Sequence, residues 1–234
     1  MKLKYLILPL IFIIIYSCSN KTNSPEFIEK ASGRYLFNSD EVIQIYFIKN
    51  ELFMEWHGAK NIKPLKVNEN TFFVKEMNEK IQFLTNPSDQ KDYIVLVQKE
   101  SGKPIDYNYK KLDKNEKVPS EYLNDKDYNK AIEGYLIIQK NDSLDTTINE
   151  NDFNSMGYKE LRNRNYEKAI RIFEINAALY PNNSNVYDSL AEAFMKSGDT
   201  AKAIVNYKKS LTLDSGNIRA KKHIERLEKS TTKN

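Results

Sequence analysis

The sequence predicts an α+β multidomain protein, a small antiparallel β barrel or sandwich followed by an α-helical solenoid of repeats. Three observations predict it. Runs rich in β-branched and aromatic residues fill positions 32–112, with turn-forming residues between them. The pattern Tyr128-Asn-Lys-Ala131-Ile132 returns as Tyr166-Glu-Lys-Ala169-Ile170 and Thr200-Ala-Lys-Ala203-Ile204, so its alanines stand 38 and 34 residues apart. Ahead of both lies an apolar leader that ends at Cys18, the single cysteine among 234 residues. Hydrophobic residues make up 40% and charged residues 29%, a globular composition that excludes wholesale disorder, collagen and a polytopic membrane protein.

Residues 1–17, MKLKYLILPLIFIIIYS, have a basic start (Lys2, Lys4) and an apolar run from Tyr5 to Tyr16. The run is too short to cross ~30 Å of hydrocarbon comfortably, which reads as a signal peptide. Ile15-Tyr16-Ser17-Cys18 resembles the bacterial lipobox. The resemblance implies cleavage before Cys18, its diacylation and an acylated new N-terminus. Two or three acyl chains anchor a protein stably without a spanning helix. Residues 18–31 then read as the lipidated cysteine and a tether, polar in 19–25 and without apolar periodicity there. By resemblance to Gram-negative sorting rules, Ser19 after the cysteine implies the outer membrane. The absence of an acidic cluster in the tether, unlike some Bacteroidetes surface lipoproteins, implies a face toward the periplasm.

Net charge is +4, and loss of Lys2 and Lys4 with the leader leaves 34 basic against 32 acidic side chains. That balance gives no reason to expect a nucleic-acid partner. One Cys and two His exclude a zinc finger, a disulfide framework and most His-based metal sites, so no metal and no cofactor is expected.

In residues 32–112, strands are expected at 33–37, 41–48, 51–56, 62–67, 71–76, 80–84, 93–98 and 105–109. Alternation in the second puts Ile43, Ile45 and Phe47 on one face and Val42, Gln44, Tyr46 and Ile48 on the other. Tyr35, Phe47, Trp56, Phe72 and Phe83 either line a pocket for a small apolar ligand or fill the core. Gly33-Arg34-Tyr35, Asn50-Glu51-Leu52, Leu65 before Asn70-Thr71-Phe72-Phe73, and Ile81-Gln82-Phe83 together resemble the β-domain that follows bacterial serine β-lactamase-like hydrolases. No chemistry is assigned to that domain.

Residues 117–230 carry the repeats: a degenerate unit at about 117–149, full units at 150–183 and 184–217, and a capping helix at 218–230. Tyr187, Leu190, Ala191, Phe194, Gly198, Ala203, Tyr207 and Leu211 mark the last full unit. Phe153, Met156, Gly157, Leu161, Ala169, Phe173 and the closing Pro181 mark the one before it. The pattern is very similar to tetratricopeptide repeats. Small residues let paired helices approach while aromatics fill the hollow beside them. Ile218, Ala220, Ile224 and Leu227 form the inner face of the capping helix, with Arg219, Lys221, Lys222, Glu225, Arg226 and Glu228 outside.

The resemblance implies a concave groove lined by first-helix residues, here Asn154, Tyr158, Arg162, Asp188, Glu192 and Lys196. These side chains suit hydrogen bonding to an extended peptide. The alternative is that they are solvated surface positions of a short array. Asp188 and Glu192 oppose a purely basic clamp for a carboxylate.

Serine-lysine hydrolase signatures occur in fragments: Ser88-Asp-Gln-Lys91, Lys196-Ser197-Gly198 and Ser215-Gly216-Asn217. Ser88 follows Asn86-Pro87 in a turn and not at the start of a buried helix, and 196–198 lies between helices and not on a strand. No enzyme activity is expected. The expected protein is therefore a lipid-anchored envelope adaptor that binds a protein or peptide and touches the membrane through acyl chains on Cys18. Two other readings are an accessory or regulator of an envelope serine hydrolase, whose tetratricopeptide tails its repeats also resemble, and a β-domain that binds a small apolar ligand.

Overall fold

The computed structural model describes residues 22–100 and 102–231. The leader 1–17 and Cys18 lie outside the described residues. No helix among the described residues is long and apolar enough to cross a membrane.

Helix α1 spans Pro25–Ala31, where the sequence predicts a tether as far as residue 31. Ser24 caps it, accepting from the Phe27 N–H, and Pro25 opens its first turn. Phe27 then seats its ring 5.4 Å from Phe83, 5.8 Å from Phe72 and 6.0 Å from Phe47. Burial of this aromatic face, with Ala31, overrides the polar composition just before it. The chain is already fixed at Asn23, whose backbone and side-chain amides both donate to the Asn50 carbonyl.

Two antiparallel meanders follow. Strands β1 (Gly33–Asn38), β2 (Glu41–Ile48), β3 (Glu51–Trp56) and β4 (Ala59–Ile62) form one sheet. Strands β5 (Leu65–Lys66), β6 (Thr71–Val74), β7 (Glu79–Thr85), β8 (Asp92–Leu96) and β9 (Tyr109–Lys110) form the other. The strand expected at 62–67 is split between the two sheets. Pro64 has no N–H for a ladder, so the chain changes sheet there. The strand expected at 105–109 shrinks to β9 because the Asn108 side chain, in place of a backbone carbonyl, accepts from the Leu96 N–H. A Tyr35–Lys111 bridge stitches the sheets along one side. β4 and β5 do not pair, so the domain is a sandwich and not a closed barrel. Ile43, Ile45, Met54, Phe72, Ile81, Phe83 and Ile94 meet between the sheets with Tyr35. The expected aromatics Tyr35, Phe72 and Phe83 thus fill a core around Phe27.

The C-terminal part is helical and tetratricopeptide-like. Helices α2 (Pro119–Asn124) and α3 (Tyr128–Asn141) form a short first pair. Helices α4 (Glu150–Arg162) and α5 (Tyr166–Leu179), then α6 (Ser184–Ser197) and α7 (Thr200–Leu213), form two full pairs before α8 (Ile218–Thr231). Each turn within a pair carries a left-handed residue: Lys126, Arg164 and Gly198. Asn149, Asn183 and Asp199 cap the helices that follow them. At Gly157 an added Cβ would stand 2.5 Å from the Phe173 ring, which is why a glycine sits mid-helix.

The two parts are joined by half-buried polar contacts. In the β1–β2 turn, Asp40 accepts from the Ser120 N–H at 2.6 Å and from the Tyr135 hydroxyl at 2.7 Å. Ser39 bonds Asp145, and Arg34 pairs with Glu121. These contacts tie the β1–β2 turn to α2 and α3.

Candidate functional site

Helices α4, α6 and α8 begin at Glu150, Ser184 and Ile218, an interval of 34 residues. Equivalent side chains therefore recur on one shared face. Asn154, Asp188 and Lys222 occupy one level of it; Tyr158, Glu192 and Arg226 occupy the next turn; Arg162 and Lys196 lie beyond.

The structure links four of the six expected groove residues through Arg219. Its guanidinium reaches Asp188 Oδ2 at 3.0 Å and Glu192 Oε2 at 2.5 Å. The Tyr158 hydroxyl donates to the same Glu192 oxygen at 3.2 Å and lies 3.3 Å from Ser189 Oγ. Lys196 stands 3.6 Å from Glu192 Oε1, and the Asn217 amide donates to Asp188 Oδ1 at 3.2 Å. Arg162 is exposed, and Asn154 is half-buried; neither joins this network.

This corrects two expectations. Arg219 does not sit on the outer face of the capping helix. Two carboxylates one helical turn apart on α6 repel unless bridged, and a planar guanidinium bridges both. Asp188 is accordingly buried and satisfied within the chain, not open to a partner. Although partial burial opposes its charge, Arg219 is held above its ordinary pKa by Asp188 and Glu192.

On α4, Asn154 Oδ1 is buried without a hydrogen-bond partner among the described residues; on α7, the Tyr207 hydroxyl is buried close to the Arg219 guanidinium. Burial pushes Tyr207 up to about 12, with Arg219, Asp188 and Glu192 as its charged neighbours. His223 lies parallel to the Tyr207 ring at 5.0 Å. Ile218, Arg219, Lys222, His223 and Arg226 line an open recess of about 430 Å³. Reading α8 only as a cap missed these residues. One more step of the 34-residue interval from Asp188 and Glu192 lands on Lys222 and Arg226.

The serine-lysine fragments have structural roles instead. Ser88 donates its N–H to Asn86 Oδ1 in an exposed turn, and Lys91 pairs with Asp113. Ser197 ends α6, and Asn217 Oδ1 accepts from Ala220 N at the start of α8. Among the described residues there is no group of three or more His, Cys, Asp or Glu side chains placed to hold a metal ion.

No family model matches the chain, and no curated protein matches it. Solved structures that resemble it include the first TPR of Spaghetti (RPAP3) bound to the HSP90 peptide SRMEEVD. It is 16% identical with a TM-score of 0.36, over 49% of this chain and 87% of that one. The Sgt2 TPR domain from Aspergillus fumigatus is 18% identical with a TM-score of 0.36, over 49% and 74% of the respective chains. The Yersinia enterocolitica type III secretion chaperone SycD, in complex with a peptide of the translocator YopD, is 14% identical with a TM-score of 0.34, over 48% and 88%.

Proposed function

We propose that this chain is a lipid-anchored protein of the bacterial cell envelope. It holds a segment of another protein in the groove formed by α4, α6 and α8 and has no catalysis of its own. The observation that carries this reading is the 34-residue recurrence of one helix face: α4, α6 and α8 place Asn154, Tyr158, Lys196, Lys222 and Arg226 at equivalent levels. An extended segment brings backbone donors and acceptors that suit such a surface. Ile15-Tyr16-Ser17-Cys18 supports the anchor, and Ser19 supports the outer membrane, with the protein facing the periplasm. Adaptor or scaffold is the role that joins a fixed location to a binding surface.

The test places a photo-crosslinking amino acid in the full chain at Arg162, beside the groove, or at Val205, which is exposed on α7. A discrete adduct from position 162 and none from 205 is expected; equal adducts, or none, overturn the groove. If the adduct is an envelope serine hydrolase, the protein is a regulator of that enzyme. Palmitate labelling of the wild type that disappears in Cys18→Ser tests the anchor, and equal labelling overturns it.

A further inference from the structure

The chain leaves the β-domain toward Cys18 at a fixed place. Both Asn23 amides bond the Asn50 carbonyl in the β2–β3 turn, and the Lys66 ammonium donates to the Thr22 carbonyl at 2.8 Å. Only residues 19–21 separate Thr22 from Cys18. Four Cα steps reach at most ~15 Å, so acyl chains on Cys18 would hold this end of the sandwich close to a bilayer surface. The repeats take the other end. Strand β2 runs from Glu41, next to Asp40, to Ile48, two residues before Asn50. The repeat junction and the tether exit therefore lie at opposite ends of one strand, about 26 Å apart at ~3.3 Å per residue.

The tether end has a chemistry of its own. Ile48, Leu65 and Val67 flank the residues that hold Thr22 and Asn23, and they are 46%, 56% and 50% exposed. Strand alternation puts Leu65 and Val67 on one side of β5, with Lys66 between them on the other. Ile48 leads into the turn Lys49-Asn50, where two left-handed residues make a tight hairpin and carry Lys49 to its tip. Lys49, Lys63 and Lys66 outnumber Glu51 and Glu69 here. Lys63 neutralises Glu51 at 2.7 Å, and Lys49 makes no ion pair among the described residues. Half-exposed aliphatic side chains beside ammonium groups match the boundary between lipid headgroups and acyl chains.

We propose that this end of the β-domain rests on the phospholipid surface that holds the acyl chains, with Lys49 and Lys66 at the headgroups and Ile48, Leu65 and Val67 against the interface. The inference rests on the Cys18 anchor proposed above. A contact too weak to hold a free protein suffices, because the short tether makes docking intramolecular. The β-domain is then a spacer of fixed height, which stands the first helix pair off the bilayer by the length of β2. Anionic lipid strengthens the contact and salt weakens it.

The test uses the acylated full chain in vesicles of phosphatidylethanolamine and phosphatidylglycerol that carry a quencher on their headgroups. With Cys18 acylated, one introduced thiol takes a fluorophore, at Val67→Cys on the tether end or at Leu144→Cys, next to the Asp145–Ser39 contact. Both positions are exposed. The label at 67 should be quenched roughly twofold more than the label at 144, since β2 separates their ends of the domain by about 26 Å. Lys49→Glu with Leu65→Ser should cut quenching at 67 by roughly half, because it removes one cation and one apolar contact from the docked face. An unchanged circular dichroism spectrum and melting temperature confirm that this variant folds. Equal quenching at the two positions, or quenching at 67 indifferent to the double variant, overturns docking. Flotation with the vesicles that is lost in Cys18→Ser leaves the anchor standing in that case. A wild-type chain that does not float overturns both.

Discussion

The Tyr135 hydroxyl donates a 2.7 Å hydrogen bond to Asp40, tying the second helix of the first repeat to the β1–β2 turn. The same carboxylate accepts from the backbone of Ser120 at the start of α2. The β1–β2 turn thus holds both helices of the first pair.

Tyr135→Phe removes one donor from a largely buried carboxylate and should cost about 2 kcal/mol of unfolding free energy. Denaturant unfolding of the full chain measures this, and Asp40→Ala combined with Tyr135→Phe should cost less than the two singles together. Hydrogen exchange should accelerate in α2 and α3 well before α6 and α7. Uniform acceleration would mean that the turn is not a local tie.

Asp40 also makes stability pH-dependent. Burial pushes its carboxyl from an ordinary 3.8 up to about 6, against the opposing pull of Tyr135 and Ser120. Because the folded value lies above the unfolded one, the native state holds the proton more tightly, and this group stabilises the fold as pH falls from 7 toward 4. Its contribution is lost as pH rises through about 6. Relative to Asp40→Asn, the wild type should gain up to about 2 kcal/mol between pH 7 and pH 4.5. Parallel stability curves for the two proteins would rule the linkage out.

Gly157→Ala should destabilise, although alanine is ordinarily the better helix former. The new Cβ would meet the Phe173 ring at 2.5 Å, and a buried ring in a packed core has no room to retreat. A loss of about 1–3 kcal/mol is expected by thermal unfolding, and a gain would mean that α4 and α5 are less tightly apposed.

Arg219→Ala leaves Asp188 and Glu192 facing each other without their bridge. A cost of about 1 kcal/mol is expected, since the guanidinium is half exposed. The charges at the centre of the groove, balanced in the wild type by Arg219 and Lys196, become net negative, so an acidic peptide should bind this variant more weakly than the wild type. Binding that strengthens would place the peptide on the other side of α6.

Much of the repeat array was legible because its period is written in small and aromatic residues that pack. Gly157, Ala169, Ala191 and Ala203 mark helix crossings, and each is buried. The strands were legible where alternation was clean, as at Ile43 and Ile45, and less so where single residues redirect the chain. Pro64 moves the chain between sheets, and Asn108 substitutes for a backbone acceptor. Helix α1 carried its own signal, a Ser24-Pro25 start before Phe27, hidden behind a polar run. The Asp40 junction carried none, since an Asp in a hairpin turn is ordinary and its partners lie 80 and 95 residues downstream. Arg219 was misplaced for a related reason: a periodic pattern gives the side of a helix, not the partner across it.

The tie between the β1–β2 turn and α2 gives the array a polarity for growth. A helix pair duplicated beyond Asn149 would leave Asp40, Ser120 and Tyr135 undisturbed and lengthen the groove. A pair inserted ahead of Pro119 would separate the aspartate from its donors. Added repeats are therefore expected to be tolerated beyond the first pair and to destabilise the chain when placed between the β-domain and α2.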